Sequence, residues 1–202
     1  MIRNWHDLLG TYNGIALLTL TTAPLATLAT CTLALHRSTR DVKPAPAQHI
    51  PPDPQGAWRR SVAEVGMVYG TVPWVWMTML PGSGAGQVPG RVSLVPLRDL
   101  LSMSPVQIVG NLLVFAALGF FAPLRFPKLG SIPRVLGLAA ACSVLIELTQ
   151  YVARLDRVSS VDDVLVNALG AGLAALASRH WWRTTFRGHM ENRIRTGNTT
   201  SF

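Results

Sequence analysis

Five stretches of this 202-residue chain, at 13–35, 62–80, 106–124, 132–153 and 161–178, are apolar and almost free of charge. A helix needs about 20 apolar residues to cross the hydrocarbon of a bilayer. Inside that layer the backbone must satisfy its own polar groups, which helices do within one segment. The pattern predicts an all-α fold, a polytopic membrane helix bundle with about five transmembrane helices. Composition agrees: 14% of residues are charged and mean hydropathy is +0.31, whereas soluble domains carry about 25% charged residues.

The first stretch, "NGIALLTLTTAPLATLATCTLAL", is rich in threonine. Threonine is tolerable there because its hydroxyl can bond back to a carbonyl one turn earlier. A cleaved signal peptide is the competing reading, suggested by Arg3 and by "LATC" at 28–31. Thr30 fits a cleavage box poorly, and the run exceeds an h-region of about 7–15 residues. The expectation is therefore a retained span. Trp74 and Trp76 near the end of the second stretch suit an interfacial anchor. The Pro-rich segment 36–60 reads as an irregular linker.

Net charge is +8, but the basic residues fall between apolar segments and not in one patch, which argues against nucleic acid as a partner. With five spans and the N-terminus outside, thirteen of the eighteen Lys and Arg residues lie on the inner side. The positive-inside rule then selects N-out, C-in. Cys31 and Cys142 lie in apolar runs outside any CxxC pair, and the five histidines show no ligand spacing. No metal or cofactor is expected.

That topology brings polar residues to one level near the outer leaflet: Asn111 and Gln107, Glu147 and Gln150, and Asp162, Asp163 and Asn167. Ser160 to Asp163 also fits a capping box, and acids suit a helix N-terminus. Asn111 and Asn167 can equally be interhelical hydrogen-bond partners. Gly119, Gly170 and Ala174 read as packing contacts. Glu147 is harder to place without a role, because a carboxylate at a helix centre costs roughly 2.5–3.5 kcal/mol on insertion scales. Either an outer arginine pairs with it or it belongs to a site. Arg157 is the expected counter-charge of a connected cluster, since a guanidinium can engage two carboxylates.

The runs "GNLLVFAALGFFAPL" (110–124), "SVLIELTQ" (143–150) and "RVSSVDDVLVNALGA" (157–171), with "RVSLVPL" at 91–97, resemble the VanZ-like family of membrane proteins. Asn111, Phe115, Gly119 and Phe120 match its helix motif. Glu147 and Gln150 match a second motif, and Arg157, Asp162, Asp163, Asn167 and Gly170 a third. Ala117 stands where that helix usually has proline, and Ser160 where an acid is common. The likeness divides the chain into an extra helix with linker (1–61), a four-helix membrane domain (62–180) and a basic cytoplasmic tail (181–202).

The resemblance implies a multi-pass protein of the bacterial cell membrane connected with resistance to the glycopeptide teicoplanin. The expected ligand set is Asn111, Glu147, Gln150, Arg157, Asp162, Asp163 and Asn167, holding an envelope lipid, wall precursor or glycopeptide-like molecule. Two alternatives are an enzyme acting on a lipid-linked substrate, with Glu147 or Asp163 as base, and a small proton-coupled carrier using Glu147. No nucleophile–base pair and no histidine lies near the cluster, so the expectation leans away from an enzyme. The tail "RHWWRTTFRGHMENRIR" (179–195) is expected to touch anionic lipid.

Overall fold

Helices form where the apolar stretches stand. The computed structural model describes residues 9–40 and 54–197, except for the side chains of residue 40 and of residues after 182. Its helices are α1 (Tyr12–Arg40), α2 (Pro54–Thr78), α3 (Pro105–Val114), α4 (Ala116–Arg125), α5 (Ile132–Val152) and α6 (Val161–Gly197), with a 3-10 turn at Pro127–Leu129. Among the described residues four segments are long and apolar enough to cross a membrane: Tyr12–Thr39, Pro105–Arg125, Ile132–Val152 and Val161–Trp182. The stretch expected at 62–80 lies in α2 and is not among these four.

The helices pack in the order α1, α2, α3/α4, α6, α5, with α6 between α3/α4 and α5. Val114, Phe115, Val135, Ala139, Ile146, Ala168, Ala171 and Ala175 form the buried core. Half of these are alanine, because helices in lipid gain from close backbone approach and not from hiding surface from water. A Cβ on Gly119 would collide with the Ala171 carbonyl, and one on Gly170 with the Leu112 carbonyl. The large aliphatics point outward instead, among them Leu145, Leu148, Leu169 and Leu173.

In α1 the threonines act as the sequence suggests. Thr19, Thr22, Thr27 and Thr30 donate to the carbonyls of Ile15, Leu18, Ala23 and Ala26. The Tyr69 hydroxyl of α2 donates to the Thr19 carbonyl, tying the two helices together.

Three local differences from the sequence reading stand out. Residues 54–60, expected as linker, form the first turns of α2, where Pro54 suits a helix start because its missing N–H has no intrahelical acceptor there. At its other end, residues 36–40 belong to the last turn of α1, and 41–53 lie outside the described residues. The otherwise helical chain has a two-stranded parallel ribbon, β1 (Arg91–Ser93) against β2 (Val158–Ser160). Finally, α6 continues to Gly197 past the expected span. The tail's side chains after 182 lie outside the described residues, and its expected lipid contact with them.

Candidate functional site

The ribbon and the loops flanking it gather at one end of the bundle, and Asp162 organises that end. It sits in the first turn of α6 and is fully buried. Its carboxylate accepts the backbone N–H groups of Leu97 at 2.6 Å, Asp99 at 2.9 Å and Leu100 at 3.0 Å. Such a convergence needs an unusual turn, and Leu97 adopts φ 66 to provide it. A left-handed leucine costs roughly 1–2 kcal/mol, offset by charge-assisted bonds to the carboxylate.

Ser160 does not form the capping box with Asp163. Its N–H donates to Glu147 Oε2 at 3.1 Å, so a carboxylate from α5 takes the place of the box's own acid. Ser159 Oγ donates to the Glu147 carbonyl at 2.9 Å. Ser160 Oγ accepts from the Asp162 N–H and donates to Asp99 at 2.7 Å. An acid at 160 would repel Asp99, which accounts for the serine here. Hydrogen bonds from the Ser93 and Ser160 hydroxyls hold the Asp99 carboxyl below the usual carboxylate range.

The other expected residues find separate partners. Gln150 donates to the Thr78 carbonyl at 2.9 Å, joining α5 to the end of α2. Asn111 donates to Asp163, joining α3 to α6. Asn167 donates to Ser143 at 2.7 Å, joining α6 to α5. Asp156, which the sequence reading did not single out, accepts from Gly84 N–H at 3.0 Å and lies 3.7 Å from Arg91.

Arg157 departs most from expectation. Among the described residues no carboxylate lies within ion-pair distance of it. Its Nε donates to the Leu80 carbonyl at 3.2 Å and its Nη2 to the Tyr12 hydroxyl at 2.7 Å. A guanidinium can bond carbonyl and hydroxyl oxygens without losing charge, so direct pairing is not required.

Arg157 lines a cavity of about 680 Å³ between the start of α1, the end of α2 and the outer face of α3. The walls are largely apolar, from Trp74, Met77, Val106 and Leu113, and Asn111 and Gln107 add amide groups. Among the described residues no Asp or Glu lines it. Of the seven expected ligand residues, only Asn111 and Arg157 reach this cavity.

A sequence model of the VanZ/LLP1 family matches residues 67–183. The chain belongs to the VanZ/LLP1 family. No curated protein and no solved structure matches it significantly. The matched region of this VanZ-like membrane protein contains every residue of the polar end apart from Tyr12, while α1 and the start of α2 lie outside.

A second charged group, at the opposite end, went unread in the sequence. Glu64 of α2 takes Arg37 of α1 at 2.6 Å and Arg125 of α4 on its other oxygen. Arg37 also donates to buried Ser61 at 3.0 Å. The signal was available: Glu64 is a lone carboxylate inside an apolar run, the same criterion that singled out Glu147.

Proposed function

We propose that this VanZ-like chain is a multi-pass protein of the bacterial cell membrane. In this reading it holds an envelope lipid, or a lipid-linked wall precursor, by its anionic head beside Arg157 and Asn111. Occupancy then alters susceptibility to glycopeptides such as teicoplanin. The observation that carries the reading is the cavity lining, which among the described residues is an apolar wall with one guanidinium and no carboxylate. Arg157 has five N–H donors and spends two on Leu80 and Tyr12, which leaves a fork for a phosphate. Glu147, Gln150, Asp162, Asp163 and Asn167 hold the frame around it. Carboxylate catalysis and proton carriage find less support, because Glu147 already accepts the Ser160 N–H and Asp163 the Asn111 amide.

The same reading has α2 cross with the other four. It is 25 residues long, about 37 Å at 1.5 Å per residue, and it lies between α1 and α4. N-out, C-in orientation rests on the thirteen basic residues it places inside.

Gly110 gives a clean test. It lines the cavity, and a Cβ there meets nothing within 4 Å. Gly110→Leu fills the cavity and also favours the helix. Wild-type protein in nanodiscs made from native membrane should retain an anionic lipid, read by mass spectrometry, at least about tenfold above Gly110→Leu, or about 1.4 kcal/mol of affinity. Equal lipid on both folded proteins refutes the reading.

A further inference from the structure

The segment "LVPLRDLLSMSPV" (94–106) joins β1 to α3, yet it presents aliphatic side chains outward. Leu101 is 91% exposed, Val106 82% and Leu94 73%, with Val95 and Leu97 also exposed. In water such a run would leave its apolar area unburied at about 25 cal/mol per Å², and patches of this kind mark an interaction surface.

The backbone of the segment is built for the opposite medium. The N–H groups of Leu97, Asp99 and Leu100 end on Asp162, and those of Ser102 and Met103 on the Asp99 carbonyl. The strand before it is paired with β2. At membrane depth non-helical backbone is tolerated only where it is buried in protein or lines a water-filled cavity, so a loop that enters lipid must keep its backbone against the protein and offer only side chains. Here much of that requirement is met from within. The apolar strip also runs directly into the exposed face of α3 through Val109 and Leu113, a segment apolar enough to span the membrane. Arg91 just before the segment and Arg98 within it are both exposed, and their long side chains can snorkel to meet phosphates.

We propose that residues 94–106 form a wedge inserted into the lipid of the adjacent leaflet, fastened from beneath by Asp162. The occupant of this surface is lipid acyl chain, continuous with the lipid around α3. Insertion does not depend on the cavity being filled. If the cavity holds a lipid, which rests on the function proposed above, the wedge adds a lateral entrance, because Ser104, Val106 and Gln107 belong to both loop end and cavity wall.

Nitroxide labels placed at Leu101→Cys and Leu94→Cys, in a chain carrying Cys31→Ala and Cys142→Ala, test this in phosphatidylglycerol–phosphatidylethanolamine vesicles. Both exposed positions tolerate a label. Collision with oxygen should exceed collision with a water-soluble nickel complex, as at the lipid-facing control Leu169→Cys and unlike exposed Gln87→Cys. Labels at 94 and 101 that behave like the Gln87 label overturn the proposal. So does spin–spin broadening at Leu101 that vanishes on dilution with unlabelled chain, since a second copy would then cover the strip. An inserted loop together with equal lipid retention by Gly110→Leu leaves the wedge standing and removes only the ligand reading.

Discussion

Asp162→Asn should unfasten the loop end while leaving the cavity lining intact. The carboxylate accepts three backbone N–H groups at 2.6–3.0 Å, and hydrogen bonds to a charged group contribute about 1.5–3 kcal/mol each. The amide keeps one oxygen that can still accept, and the loop amides lie close enough to the surface to regain some solvation. Charge lost from the first turn of α6 costs about 0.5 kcal/mol more. The net expectation is about 2 kcal/mol for Asp162→Asn and about 4 kcal/mol for Asp162→Ala, which leaves all three donors orphaned. For a chain of this size 1 kcal/mol moves the melting temperature by about 2–4 °C, so Asp162→Asn should lower it by about 4–8 °C in detergent. Hydrogen exchange should quicken at Leu97, Asp99 and Leu100 ahead of the helices. Unchanged melting and exchange, with lipid retention lost, would refute the reasoning and make Asp162 a ligand residue.

Gly170→Ala drives a methyl group into the Leu112 carbonyl, a backbone atom that cannot swing away; a loss of about 3 kcal/mol is expected, the upper part of the usual overpacking range, read as detergent melting. Glu64→Gln leaves Arg37 and Arg125 without their shared carboxylate. It should cost about 2 kcal/mol, less than a fully buried pair because the site is partly exposed, and chemical cross-linking between α1 and α2 should fall. Asp99 has a depressed folded-state pKa, so its contribution is complete above the unfolded value of about 3.9 and lost as pH falls through the folded one. Protection factors at residues 97–103, corrected for the intrinsic exchange rate, should therefore stay constant from about pH 7 to 5 and fall below about 4, and Asp99→Asn should remove the acid step.

The spans at 13–35, 106–124, 132–153 and 161–178 were legible because lipid imposes composition on a helix whatever its neighbours are. The threonine back-bonds of α1 and the close approaches at Gly119 and Gly170 followed from the same local logic. The polar end was legible as a location but not as a set of partnerships. Asp162 bonds main-chain amides sixty residues earlier, and nothing in the letters "VPLRDLL" announces a left-handed Leu97. Asp163 suited a helix cap equally well, and only the packing of α3 against α6 gives it to Asn111. Arg157 could be foreseen as a cation at this level. That it bonds the Tyr12 hydroxyl depended on α1, which lies outside the resemblance to VanZ-like proteins.

The break between α3 and α4 completes the same point from the opposite direction. Proline is usual at 117 and alanine stands there, yet the helix is interrupted at Phe115, with φ −116 and ψ 14. Proline breaks a helix by removing the amide that would bond the carbonyl four residues earlier, which here is Leu113. That carbonyl accepts instead from the Phe115 N–H, so the interruption supplies the acceptor's partner without any proline. What holds the break is packing on both halves. Leu112 of α3 lies against Gly170, and Gly119 of α4 lies against Ala171. Gly70 leaves room for the Ala117 methyl group on the α2 side. With α6 and α2 gripping the two halves separately, the bend belongs to the bundle, and the proline becomes dispensable while the glycines do not.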